Sequence, residues 1–142
     1  MELMMFMYPA RFQKQRDGYV VTFRDIPEAT TGGGTKKEAT EMAGDALATA
    51  MEFYFEDRRL VPMPTEAHQG EELVALPASV AVKVLLLNEM LKGNVTPSKL
   101  AKKLDASPQT VTRIVDLHHA TKIDTLAEAF KAIGKTLSFS VA

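Results

Sequence analysis

Apolar positions along this chain change their period several times, and each change predicts an element. Leu3 to Phe12 is a near-continuous apolar run, the pattern of a buried strand. Asp17-Gly18 follows, a dipeptide suited to a tight turn because glycine accepts positive φ. Tyr19, Val21 and Phe23 alternate with Val20, Thr22 and Arg24, which predicts a second strand. Asp25-Ile26-Pro27-Glu28 breaks the pattern, and Thr30 to Gly34 is a short third strand or a loop. From Lys36 to Asp57 the period lengthens. Ala39, Met42, Ala43, Ala46, Leu47, Ala50, Phe53 and Tyr54 recur at threes and fours, predicting one long amphipathic helix. Thr35 and Glu38 stand at capping-box spacing before it. Pro62 and Pro64 stop the helix, Thr65 to Glu72 is a polar, mobile connection, and Leu73 to Leu76 is a last strand. The alanine-rich stripe predicts close packing of helix on sheet, in a small α+β domain of order β-β-β-α-β.

Pro77 and Ser79 mark a boundary, dividing the chain into residues 1–77 and 78–142. The second part reads as helical. Val80 to Leu91 is its first helix, stopped by Gly93-Asn94. Thr96 to Asp116 then carries the most specific pattern in the chain, that of a helix-turn-helix. Thr96 caps the first helix of the pair and Pro97 opens it, with Leu100, Ala101 and Leu104 inward. Ser107 caps the second and Pro108 opens it, with Val111, Ile114 and Val115 inward. Gln109, Thr110, Thr112 and Arg113 are left on its outer face, and such side chains bond base edges or phosphates. Lys99, Lys102 and Lys103 are candidate phosphate contacts. A final helix is expected from about Lys122 to Ile133, ended by Gly134. Leu137-Ser138-Phe139-Ser140-Val141 alternates strictly, which predicts a short C-terminal strand; it needs a partner, either the first domain or the same tail of a second copy, which a two-fold operator favours.

Charge sharpens this division. Residues 1–77 hold 8 Lys and Arg against 13 Asp and Glu, whereas residues 78–142 hold 9 against 5. The basic part is the one with the helix-turn-helix, the sign that phosphate contacts need. With no cysteine, disulfides and thiolate chemistry are excluded. No apolar run approaches the ~20 residues of a membrane span, and MELMMFMYPARF has no basic leader, so a cytoplasmic location is expected.

The residues do not assemble into an active site or a metal site. His118 and His119 are adjacent and so diverge on a helix, and His68 lies in the polar connection, with no second ligand at metal spacing. Gly32-Gly33-Gly34 lacks the Lys-Ser/Thr that follows the glycines of a P-loop. The carboxylates of the first part fall in turns and at helix ends rather than in the first strand, where a two-metal nuclease would need them. No catalysis and no cofactor are expected. Phe53-Tyr54-Phe55-Glu56-Asp57 differs from these: three consecutive helical aromatics cannot all face one core. Phe55 with Glu56 and Asp57 is a candidate anchor and acidic rim for a basic protein partner, and packing between domains or copies is an equal reading.

The chain resembles the HicB antitoxin family, in its form with a C-terminal helix-turn-helix. The resemblance rests on Val21-Thr22-Phe23-Arg24-Asp25-Ile26-Pro27-Glu28-Ala29, on Asp45-Ala46-Leu47 and Phe53 to Asp57, and on Leu117-His118-His119-Ala120-Thr121-Lys122-Ile123-Asp124. It implies a bacterial type II toxin–antitoxin system whose HicA toxin is a small basic protein with a double-stranded-RNA-binding-like fold that degrades mRNA through a histidine. It also implies that the N-terminal domain is a degraded ribonuclease H-like fold covering that toxin's active site. The C-terminal domain is then implied to bind the operon's promoter as a homodimer, or as a tetramer of paired dimers. The alternative is a helix-turn-helix repressor that senses a small molecule, the Thr30 to Gly34 segment lining its pocket, with no toxin partner. A residual nuclease using Asp25 or Asp45 is a third class.

Overall fold

A hairpin whose two turn residues are Arg16 and Asp17, one position before the expected Asp17-Gly18, organises the N-terminal part, and Gly18 opens the second strand at φ +149°. The computed structural model describes residues 6–141; the start of the apolar run at Leu3 lies outside them. Strand β1 (Met7–Gln15) pairs antiparallel with β2 (Gly18–Phe23), Gln15 lying opposite Gly18. β3 (Thr30–Gly33) pairs with β2, so the glycine-rich segment is a strand. After helix α1 (Lys36–Asp57), β4 (Glu71–Ala75) returns to pair with β1, giving the sheet order β3-β2-β1-β4. The element order is the expected β-β-β-α-β.

Two groups of residues contact one another internally: Met1–Phe53 with Pro62–Pro77, and Tyr54–Val61 with Ala78–Ala142. In the first unit, cross-strand partners share a face, and Tyr8, Ala10, Val21, Phe23 and Val74 bury theirs. Ala39, Ala43, Leu47 and Ala50 recur along α1 at helical spacing and are buried with them. The Tyr8 hydroxyl donates to the Pro62 carbonyl at 2.8 Å, so the phenol enters the core with its polar atom satisfied.

The polar connection is held in place rather than loose. Arg24, at the end of β2, grips Glu71 with Nε at 3.3 Å and Nη2 at 2.8 Å. Its Nη1 donates to Thr65 Oγ1 at 2.7 Å and its Nη2 to the Glu66 carbonyl at 3.0 Å. Asp25 Oδ2 accepts from the Thr65 amide at 2.8 Å. β4 accordingly starts at Glu71, two residues before the expected Leu73: the carboxylates have partners in Arg24 and, through Glu72, in Lys36 at 2.6 Å.

In the second unit, α2 (Ala78–Lys92), α3 (Pro97–Leu104), α4 (Pro108–Ile114) and α5 (Ile123–Ala132) enclose Leu86, Met90, Leu100, Val111, Ile114, Leu126 and Phe130. Buried Asn88 of α2 accepts from the Val61 amide at 2.9 Å and donates to the Val61 carbonyl at 3.1 Å, binding Tyr54–Val61 to this unit much as a strand neighbour would. Gly134 closes α5 at φ +81°. The expected C-terminal strand is absent among the described residues. Leu137 packs on the helical core, whereas Phe139 and Val141 are exposed. Alternation alone does not make a strand, because its main-chain groups need a neighbour and this unit offers none. No helix among the described residues is long and apolar enough to cross a membrane.

The Arg24 grip gives a pH-dependent stability. Hydrogen bonds from Arg24, then from the His68 amide, hold the Glu71 carboxyl down at about 2 from its ordinary 4.5. A carboxyl depressed on folding stabilises fully above its unfolded value and loses that contribution as pH falls from 4.5 toward 2. Acid unfolding followed by circular dichroism should show stability declining across that window, and Glu71→Gln should flatten the decline.

Candidate nucleic-acid interface and partner surface

Local chemistry at three points shapes the α3–α4 pair. Thr96 Oγ1 accepts from the Lys99 amide at 3.2 Å, and Ser107 Oγ accepts from the Thr110 amide at 3.2 Å. Each cap supplies an acceptor that the first turn lacks, and Pro97 and Pro108 occupy positions where an N–H is not required. Between them, Asp105 turns into the left-handed region at φ 52°, and the Ala106 amide returns to the Ala101 carbonyl at 3.0 Å. Leu100, Ala101, Val111 and Ile114 are buried as the spacing predicts, and Leu104 and Val115 are half-buried.

Gln109, Thr112 and Arg113 are exposed on α4, and Thr110 is half-buried. The two threonines are less free than the pattern suggests. Thr112 Oγ1 donates to the Pro108 carbonyl at 3.0 Å, leaving it as an acceptor, and Thr110 Oγ1 shares a 3.0 Å hydrogen bond with Ser107. Gln109 and Arg113 carry the donor capacity of this face. The three lysines of α3 are exposed but are not one group. Lys102 lines a cleft of about 470 Å3 with Thr112 and Pro108. Lys99 and Lys103 line a different one, of about 630 Å3, with Lys92 and Lys135.

The aromatic run of α1 divides. Phe53 is 51% exposed, Tyr54 is buried and Phe55 is half-buried, so Phe53 rather than Phe55 is the outward ring. Glu56 and Asp57 are exposed, Asp57 lying 3.3 Å from Arg59. In the first unit, Phe53 shares an α1 stripe with Met42, Asp45, Ala46 and Thr49. Glu28, Thr30 and Thr31 complete a shallow groove of about 240 Å3 along edge strand β3. The unit around it carries 6 Lys and Arg against 11 Asp and Glu.

Residues 7–85 match the family described as HicB_like antitoxin of bacterial toxin-antitoxin system. Antitoxin HicB 2 of Photorhabdus laumondii is 53% identical over 130 residues, covering 92% of each chain. Antitoxin HicB of Escherichia coli K12 is 50% identical over 121 residues, 85% of this chain and 88% of that one. Antitoxin HicB of Pseudomonas fluorescens is 34% identical over 138 residues, 96% and 94% of the two chains. The chain belongs to the HicB-like antitoxin family.

This antitoxin is thus a member of a family without enzymatic activity, in line with carboxylates that serve as structure. Asp25, the candidate of a nuclease reading, is committed to Thr65 and Arg24. Of the histidine rings, that of His119 is engaged locally, its Nδ1 lying 3.1 Å from Thr121 Oγ1. Sequence reasoning missed Lys83 and Asn88, both buried on α2 of the antitoxin. Their signal lies in the apolar run of α2, where Lys83 shares a helical face with Leu86, Leu87 and Met90, and Asn88 shares another with Ala81 and Val84.

The glycine run has a steric explanation. A Cβ on Gly33 would lie 2.6 Å from the Ala39 amide nitrogen and 2.9 Å from its Cα. Gly33→Ala should therefore destabilise the first unit by about 1–3 kcal/mol, the usual cost of overpacking, seen as a lower Tm with the fold retained.

Proposed function

We propose that this antitoxin neutralises a HicA-type mRNA-degrading toxin by covering its active site, and that it represses its own operon by binding promoter DNA through a helix-turn-helix. The observation that carries the second half is the α3–α4 pair, capped at both N-termini, which leaves Gln109 and Arg113 outward on the second helix. Arg113 can bond guanine bidentately and Gln109 adenine, with Thr110 and Thr112 as lesser contacts. Lys102, beside Thr112, and then Lys99 and Lys103 meet phosphates and set the salt dependence.

For the toxin we assign the Met42–Phe53 stripe in addition to Phe55, Glu56 and Asp57. Met42 and Phe53 are exposed apolar side chains with acidic Glu28 and Asp45 around them, on the unit with the excess of acid. Such a surface fits a basic protein. We read the first unit as a degraded ribonuclease H-like fold, as the family resemblance implies; the inner face of its sheet, Tyr8, Ala10, Val21, Phe23 and Val74, carries no carboxylate. The ligand-sensing repressor is the weaker reading: the groove beside Thr30 and Thr31, at about 240 Å3, falls short of the ~300–1,000 Å3 typical of small-molecule pockets. A homodimer suits a two-fold operator, and exposed Phe139 and Val141 supply the apolar tail for pairing.

The two activities should separate by mutation. Arg113→Ala should weaken promoter binding by about 1–3 kcal/mol, in gel-shift titrations at fixed salt, while still rescuing growth when the adjacent toxin is induced. Phe53→Lys should do the reverse, losing rescue and keeping promoter binding. Loss of both activities in either folded variant counts against two separate surfaces. Deleting residues 137–142 should convert dimer to monomer in light scattering; an unchanged mass removes the tail from the dimer interface.

A further inference from the structure

Lys83, on the inner face of α2, is a charged residue only 3% exposed. Its Nζ donates to three main-chain carbonyls: Arg113 at 3.1 Å, Asp116 at 2.6 Å and His119 at 2.7 Å. An ammonium has three N–H donors and no acceptor, so all its donors are used. The carbonyls come from one place. Arg113 is in the last turn of α4, where carbonyls miss the usual helical donor and this one keeps only a 3.2 Å bond from the Asp116 amide in the main chain, and Asp116 and His119 follow in the loop toward α5. The positive charge also sits at the negative end of the α4 dipole. Burial lowers the Lys83 pKa, the nearby Asp116 charge acting against it. Burying the ammonium costs desolvation, and its three carbonyl acceptors offset that cost.

We propose that Lys83 is a positioning residue for DNA recognition: by gathering the Arg113, Asp116 and His119 carbonyls it fixes the end of α4 and the following loop as one rigid reading element. This rests on α4 being the helix that reads DNA. Arg113 is both a member of the cage, through its carbonyl, and the leading base reader, through its side chain. A shift of the α4 terminus would therefore move the guanidinium directly. The α3 lysines lie outside the cage, so phosphate attraction is independent of it.

The test uses the full chain, its own promoter fragment and a scrambled duplex of equal length, titrated at two salt concentrations, with amide hydrogen exchange of residues 113–121. Lys83→Met fills nearly the same space and takes the ammonium from all three carbonyls, leaving Arg113 with the Asp116 amide at 3.2 Å and the Thr121 hydroxyl at 3.4 Å, and Asp116 with the His119 amide at 3.1 Å. It should lower the promoter-to-scrambled affinity ratio at least tenfold, change scrambled-DNA affinity less than twofold, and speed exchange in 113–121 but not in β4. Should Lys83→Met fail to fold, Lys83→Arg decides: it keeps the charge but spreads its donors over a planar fork, and the ratio should fall again. A ratio that survives in the folded variant, or promoter and scrambled affinities that fall equally, overturns the proposal even where exchange accelerates. A wild-type protein with no preference for its promoter overturns the DNA reading and the proposal with it, a result distinct from a preference that survives substitution.

Discussion

Helices of seven and eight residues leave about half of their main-chain donors and acceptors outside the internal ladder, and the second unit is organised around satisfying them. Thr96 and Ser107 take the leading donors, left-handed Asp105 turns the chain between the helices, and Lys83 takes the trailing carbonyls. The apolar core of Leu86, Leu100, Val111, Ile114 and Phe130 supplies the attraction, but it is non-directional. The caps and the lysine fix where α4 begins and ends, and hence which side chains it presents. An interface that reads base edges depends on that placement, since a bidentate contact tolerates little displacement.

The first unit solves a different problem. A small sheet covered on one face has two edges and a long return connection, each with polar groups to satisfy. At the β3 edge, Gly33 lets the sheet approach the start of α1 with no side chain between them. Near the β4 edge, Arg24 gathers Glu71, Thr65 and the Glu66 carbonyl, so a polar segment becomes a fixed brace. What remains available along β3 is the stripe with Met42 and Phe53, apolar at its centre and acidic around it. The antitoxin thus carries an acidic sheet-and-helix unit and a basic helical one, a charge division that suits the proposed toxin on the first and the proposed operator on the second.

Much of this was legible because it is local. Helical and strand periods, the Thr96 and Ser107 caps, the prolines that follow them and the stop at Gly134 each depend on residues a few positions apart, so element order and the outward face of α4 followed from the sequence. The family, too, was legible in the motifs. Tertiary structure decided what depends on distant partners. Lys83 looks like an ordinary helix lysine until carbonyls 30 to 36 residues away converge on it. The Thr65 connection looks loose until Arg24, about 40 residues earlier, reaches it. Phe53 belongs to the apolar stripe of the α1 pattern and Phe55 does not, yet Phe53 is exposed while Phe55 is half-buried. The tail has the alternation of a strand but no neighbour in its own unit, because pairing belongs to two segments and a sequence shows only one at a time.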